Sequence, residues 1–265
     1  MGRPLIPLNV SDLVQDYQAD KSFAQMEQLY SVSRRTLRRR LQAAGVHVAS
    51  IYHRELELTA KQDEHLVELI DGLVLGDGYL EPRGNLQLTQ TGSARSWLDR
   101  LKPEFEALGL SGTIHRYAPR TSVGSLGVIH TKESFRFSTT YCENLRRQQK
   151  RWYRPCKRVP CDVRLTPLSV ALWFCGDGSY NQRGTLSFGT CAFSIPDVKR
   201  LQRGLADLGV RTTRCTTSKN HNLISVSRLD DSFALSKLIK PYIPACFDYK
   251  LAHVRPLNSV HWKKS

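Results

Sequence analysis

GDGYLEPRGNLQL (76–88) and GDGSYNQRGTLSF (176–188) stand 100 positions apart and share Gly76/Gly176, Asp77/Asp177, Gly78/Gly178, Arg83/Arg183, Gly84/Gly184 and Leu86/Leu186. An apolar stretch with helical spacing runs into each: Leu66, Leu69, Ile70, Leu73 and Val74 into the first, Leu168, Ala171, Leu172 and Cys175 into the second. Pro167 suits the first turn of the second helix. Alternating strands come next. Leu86 and Leu88 oppose Asn85, Gln87 and Thr89, and Leu186 and Phe188 oppose Thr185 and Ser187. The match continues at the same offset from Leu98, Leu101 and Phe105 to Val198, Leu201 and Leu205, and from Leu108-Gly109-Leu110 to Leu208-Gly209-Val210. Beyond that the register drifts, and SFRFS (134–138) and LISVS (223–227) are similar strands at a shorter offset. Each half therefore reads helix–strand–strand–helix–strand–strand–helix.

A single Gly-Asp-Gly is an ordinary turn signal. Two copies, each ending an apolar helix and opening the same strand pattern, imply two halves paired about a pseudo-twofold axis. Gly72 and Gly76 would let the two helices approach closely. Asp77 and Asp177 would then meet at the shared end. Carboxylates at helix C-termini sit at the negative end of the dipole, and side by side they repel. Such a pair calls for cations. Hard oxygen ligands suit Mg2+, and two ions flanking one phosphate can activate a water and stabilise the leaving oxygen.

The charge balance agrees with a polyanionic partner. Thirty-nine Lys and Arg against 24 Asp and Glu give +15 at pH 7 and a pI near 9.7. This favours nucleic acid first and an acidic membrane second. The membrane alternative needs an amphipathic basic helix with a bulky apolar face, and the sequence has no convincing one. Arg outnumbers Lys 26 to 13, as forked phosphate and guanine contacts would have it, though GC-rich coding gives the same bias. No apolar run is long enough for a transmembrane helix. The N-terminal stretch, with Asp12, Asp16 and Asp20, reads as neither a secretory signal nor a transit peptide. Seven scattered cysteines without a C-x-x-C read as reduced, intracellular thiols.

Residues 10–50 form a separate unit. SFAQMEQLY (22–30) places Phe23, Met26, Leu29 and Tyr30 at helical spacing, and SVS (31–33) breaks it. Ser33 can cap RRTLRRRLQAAG, whose Leu37 and Leu41 share a face, and Gly45 stops it. Helix, short turn and basic helix make the helix-turn-helix pattern. Its second helix would carry Arg34, Arg35, Arg38, Arg39 and Arg40 to phosphates and base edges in a major groove. The plainer alternative is a solvated basic helix in an ordinary helical hairpin. Residues 1–30 hold only two basic residues against four acidic ones, so the positive charge is concentrated on that helix.

IDGLVLGDG (70–78) and VALWFCGDG (170–178) resemble the paired motifs of the monomeric, double-motif LAGLIDADG homing endonucleases. LTPLSVALWFCGDGS (165–179) and KPYIPACFDYKL (240–251) are similar to the second-motif and C-terminal segments of the intron-encoded branch. The resemblance covers about residues 62–255. It implies an α+β fold of two pseudo-twofold-related αββαββα repeats forming a DNA-binding saddle, preceded by the small all-α module. It further implies hydrolysis of both strands of a long DNA site by a monomer. In such enzymes the last acid of each motif binds the catalytic metal, which falls on Asp77 and Asp177, with the carbonyls of Gly76 and Gly176 assisting. One basic residue per half lies nearby. Lys250 in FDYKL matches the C-terminal one, and Lys157 in CKRVP is the candidate in the first half, with Arg158 its rival; the alternative for either lysine is a plain phosphate contact. The sequence departs from the pattern at Leu75 and Cys175, where many relatives carry an acid.

The expected layout is a helix-turn-helix module over 1–50, a linker over 51–61, a first repeat over 62–157 and a second over 158–265. The strand residues expected to read bases are Asn85, Gln87, Thr89, His115, Tyr117, Arg136, Thr185, Ser187, Arg211, Thr213 and Arg214. A sheet with one wet face is the bland alternative for these strands. The Arg- and Lys-rich stretch from Arg146 to Arg154 is expected to track the DNA backbone. Two other activities stay open: a catalytically inactive DNA-binding regulator of the same fold, and an intron RNA maturase using the same basic surface.

Overall fold

The computed structural model describes residues 8–19, 21, 23–46, 48, 55–124, 127–216 and 222–255. Two compact units divide the chain, Met1–His53 and Arg54–Ser265.

The first unit holds α1 (Val10–Gln18), α2 (Phe23–Tyr30) and α3 (Arg34–Ala43). Its core is Leu13, Met26, Val32, Leu37, Leu41 and Val48. The Asn9 side chain caps α1, a helix the sequence reading leaves out. Ser33 caps α3 by accepting from the Thr36 N–H, as expected, and Gly45 follows the helix at φ 75°. Leu29 departs from the expected apolar face and is 60% exposed. Arg34 is held by Glu27, and both Arg34 and Arg38 lie over the Phe23 ring. That leaves Arg35 and Arg39 as fully outward members of the basic helix.

The second unit starts with an extended stretch in which Leu56 donates its N–H to the buried Asn144 side chain at 2.8 Å. The connector expected over 51–61 thus ends early: residues 51–54 lie outside the described residues, and Thr59 already caps α4 (Ala60–Leu75) in a capping box with Gln62. After α4 come β1 (Gly78–Leu80), β2 (Leu86–Thr91), α5 (Arg95–Ala107), β3 (Gly112–Tyr117), β4 (Arg120–Gly124), β5 (Gly127–Thr131), β6 (Ser134–Thr139) and α6 (Glu143–Trp152). The second half repeats the order with α7 (Pro167–Asp177), β7 (Gly178–Tyr180), β8 (Leu186–Gly189), α8 (Ile195–Asp207), β9 (Thr213–Thr216), β10 (Asn222–Val226) and α9 (Leu229–Ile239). The sheets have matching antiparallel orders, β1-β2-β6-β3 and β7-β8-β10-β9. This is the mixed α+β architecture of two matching repeats that the resemblance implies. The β4–β5 hairpin is an addition the sequence reading does not contain, and among the described residues it has no counterpart in the second half.

One continuous core joins the halves. It takes Leu66, Leu69, Ile70, Leu73 and Val74 from α4, Trp173 and Phe174 from α7, and the inward rows Leu86, Leu88 and Phe137, and Leu186, Phe188 and Ile224, from the sheets. A second feature fixes α6 against α4. The Asp71 carboxylate is buried and accepts from Arg151 Nη2 at 3.0 Å and Trp152 Nε1 at 2.9 Å. Burial pushes the Asp71 carboxyl up and Arg151 pulls it back. Arg151 also binds Asp162. It is therefore a partly buried clasp on Asp71 and not the backbone-tracking residue expected of it. Arg146 and Arg147 pair with Glu143 and Glu55.

Candidate active site

The site is built where α4 and α7 end side by side. A Cβ added at Gly72 would stand 2.6 Å from the Ser169 carbonyl and 2.8 Å from Leu172 Cβ. One added at Gly176 would stand 2.8 Å from the Asp77 nitrogen and 3.0 Å from Gly76 Cα. The two backbones touch, which only hydrogen at these positions permits. Asp77 and Asp177 follow directly and are both exposed at this seam.

The two halves then supply one lysine each. Lys157 donates from Nζ to the Gly76 carbonyl at 3.4 Å and lies over the Phe193 ring. Arg158, its rival, is exposed. Lys250 donates to the carbonyls of Phe174 at 3.1 Å, Cys175 at 2.8 Å and Gly176 at 3.4 Å. They lie in the last turn of α7, where the Phe174 carbonyl also accepts from the Gly178 N–H, so Lys250 caps that helix. At 7% exposure it has no room to be a plain surface phosphate contact. Burial lowers the pKa of both lysines, while Asp77 and Asp177 act against that. The Asp177 carboxyl is raised by the packed surroundings and by Asp77, against the pull of Lys157 and Lys250. Cys175, in the position where an acid would precede the motif, is buried and its thiol is pushed up to about 12 by that burial.

Sequence reasoning misses one contact here. Gln90 donates from Nε2 to Asp77 Oδ2 at 2.8 Å. It follows Leu86 and Leu88 in the inward row of β2, and a polar residue ending an apolar alternation is the signal that could find it. Its counterpart, Thr190, is buried and its hydroxyl has no hydrogen-bond partner among the described residues. The two aspartates are thus held differently.

The outward sheet faces collect most of the expected strand residues. In the first sheet Gln87 pairs with Ser138, Thr89 with Arg136, and His115 with Arg136, so these side chains share one face. Arg136 donates to Thr89 Oγ1 at 3.2 Å and covers the Tyr117 ring. In the second sheet Ser179, Ser187, Ser225 and Thr213 form one cross-strand row of hydroxyls. Four expectations need correction. Asn85 is buried in the β1–β2 turn, because it precedes the strand instead of belonging to its wet face. Thr185 likewise lies in the β7–β8 turn, where it accepts from Asn181 Nδ2. Arg214 is opposite Ile224, on the other face from Thr213, as adjacent strand residues must be. Arg211 lies before β9 and pairs with the buried Asp231 carboxylate at 3.2 Å.

All seven cysteines are free. No helix among the described residues is long and apolar enough to cross a membrane. No group of three or more His, Cys, Asp or Glu side chains that could hold a metal occurs among the described residues. The seam offers two carboxylates, hard oxygen donors of the kind that fit Mg2+, while the carbonyls of Gly76 and Gly176 accept from the Lys157 and Lys250 ammonium groups.

Comparison with known proteins agrees with this architecture. The model of the LAGLIDADG DNA endonuclease family matches residues 67–229. An uncharacterized protein of Methanocaldococcus jannaschii is 30% identical over 210 residues, covering 76% of this chain and 78% of its own length. The cytochrome b mRNA maturase bI2 of Debaryomyces hansenii is 30% identical over 202 residues, covering 72% of this chain and 75% of its own. Among solved structures, the homing endonuclease I-WcaI bound to its DNA recognition sequence has a similar fold, with a TM-score of 0.58 at 20% identity over 74% of this chain and 87% of that one. With the family model spanning more than half of its length, the chain belongs to the LAGLIDADG DNA endonuclease family.

Proposed function

We propose that this protein is a monomeric, intracellular endonuclease that hydrolyses both strands of a specific double-stranded DNA site with Mg2+. The observation that carries the reading is the pair Asp77 and Asp177 at touching helix ends, each half adding a lysine within reach of the motif carbonyl. The domain layout proposed is two repeats meeting at this seam, with the N-terminal unit as a helix-turn-helix presenting Arg35 and Arg39 to DNA.

When bound, the divalent ions supply an activated water and neutralise charge at the leaving oxygen. The chain's own residues do the rest. Asp77 and Asp177 hold the ions, and Gln90 fixes the orientation of the Asp77 carboxylate. Lys157 and Lys250 hold positive charge at the seam, where charge builds on the phosphate. Gln87, Thr89, His115, Tyr117 and Arg136 on one sheet, and Ser187 and Thr213 on the other, face base edges.

Asp77→Asn and Asp177→Asn should each keep DNA binding and lose double-strand cleavage. Cleavage that persists in the double variant overturns the proposal. The likeness to cytochrome b mRNA maturases favours a second reading, an RNA maturase. Specific binding of intron RNA with no affinity for duplex DNA would select it.

A further inference from the structure

A feature that one repeat carries and its copy lacks is not required by the fold they share. One such feature is charge on α8 and at the start of β9. Lys199, Arg203, Arg211 and Arg214 occupy the positions that Asp99, Pro103, Ser111 and Ile114 hold in the first repeat. Strand register supports the match: Thr113 and Thr213 sit opposite Ser138 and Ser225, and Ile114 and Arg214 sit opposite Phe137 and Ile224. Four cations thus replace an acid, a proline, a hydroxyl and an apolar side chain. α5 also neutralises itself, through Arg95 with Asp99 at 3.0 Å and Lys102 with Glu106 at 3.5 Å. Lys199 and Arg203 are exposed and have no such partner among the described residues.

These side chains line a groove. Lys199, Gln202, Arg203 and Ala206 form one wall and Arg211 and Thr212 the other, around a volume of about 480 Å3. Gln202 donates from Nε2 to the Thr212 carbonyl at 3.4 Å and tethers the two walls. Lys199 and Arg203 stand one turn apart on α8. Arg211 gives its Nε–H to Asp231 and its side chain stays 63% exposed. Thr212 and Arg214 alternate with Thr213, so they lie on the helix side of the sheet, opposite the hydroxyl row. The groove is therefore turned away from the rows proposed to face base edges, and a duplex on those rows leaves it open.

Uncompensated Lys and Arg fit the phosphates of a polyanion. The shape selects a strand over a duplex. A cleft between one helix and the edge strand β9 admits a single backbone, not the broad cylinder of two paired strands. The lining holds no aromatic ring, so it tracks backbone and does not stack bases. The Gln202 amide and the Thr212 hydroxyl add partners for a ribose 2′-hydroxyl, the group that separates RNA from DNA. We propose that this groove binds the backbone of single-stranded RNA, with little sequence preference, on a face separate from the one that takes duplex DNA. The site does not depend on cleavage at Asp77 and Asp177; only its separateness rests on the DNA-binding reading above.

The test uses the full chain without divalent metal. Binding of a randomised single-stranded RNA pool carrying 5-iodouridine is titrated against salt, and the photo-crosslinked peptides are mapped. The variant Lys199→Gln/Arg203→Gln/Arg214→Gln is compared with the wild type; Arg211 stays in place because it pairs with the buried Asp231. All three replaced side chains are exposed, so the variant should melt with the wild type. Crosslinks should fall on α8 and β9. The variant should bind RNA more weakly, its slope of log affinity against log salt falling by about two for three lost phosphate contacts, with affinity for a duplex DNA pool unchanged. A wild type that ignores RNA, an unchanged slope, or crosslinks confined to other elements overturns the groove. A single-stranded DNA pool that binds equally well overturns the choice of RNA. Parallel loss of duplex binding in the variant overturns the separate face. A wild type that binds RNA at the groove and no duplex overturns the DNA-binding reading and leaves the groove standing.

Discussion

The Asp177 carboxyl shows what the site costs the fold. Packing and the neighbouring Asp77 raise its pKa above the ordinary 3.8. A raised folded-state value means that the ionised form is disfavoured in the native state. Its contribution to stability is most favourable below the ordinary value and is lost as pH rises through the folded one. Asp177→Asn should therefore raise the melting temperature at neutral pH, with the gain vanishing below about pH 3.8. Thermal unfolding followed against pH checks this; a gain that persists at low pH would place its origin elsewhere than in the carboxylate. Lys250 belongs to the same residue-scale account. Its motif position is legible in FDYKL, but its cap on three α7 carbonyls is not, because the partners lie about 75 residues earlier in the chain. Asn85 teaches the converse. Strict alternation assigns it to the wet face, yet the strand starts one residue later and the side chain is buried.

At the scale of elements, the helix pair carries the argument. Gly72 has no space for a Cβ between Ser169 and Leu172. Gly72→Ala must push α4 and α7 apart and should cost about 1–3 kcal/mol, read as a lower urea midpoint, together with loss of cleavage. An alanine variant of wild-type stability would mean that the helices do not touch here. Much of this level was readable beforehand. The apolar faces of the two helices, the inward rows Leu86/Leu88 and Leu186/Phe188, and the close approach at Gly72 and Gly76 all follow from spacing and from the absence of side chains. The Asp71–Arg151–Trp152 clasp was not readable, because nothing in a run of arginines marks which one turns inward. The β4–β5 ribbon also escaped, since the strand signal there is broken by Pro119 and its apolar content is the short cross-strand pair Val123 and Val128 with Ile129. Wet strands without a buried face leave little periodicity to detect.

For the whole molecule, the repeat and the charge balance say the same thing. Two matched sheets flank one seam, and the chain carries +15. The chain belongs to the LAGLIDADG DNA endonuclease family, is similar in sequence to a cytochrome b mRNA maturase, and shares its fold with the homing endonuclease I-WcaI. The outward faces present hydroxyls, amides and Arg136, the groups that read base edges in a groove. What separates the readings is whether the paired aspartates cut.

The measurement that tests this most directly is a cleavage selection. The purified protein is incubated with a randomised double-stranded DNA library in Mg2+, beside the Asp77→Asn/Asp177→Asn variant, and the cut ends are sequenced. Discrete staggered cuts within one long motif, absent from the double variant, are predicted. No cuts by the wild type, with one bound motif enriched by both proteins, would contradict the nuclease and leave a DNA-binding regulator.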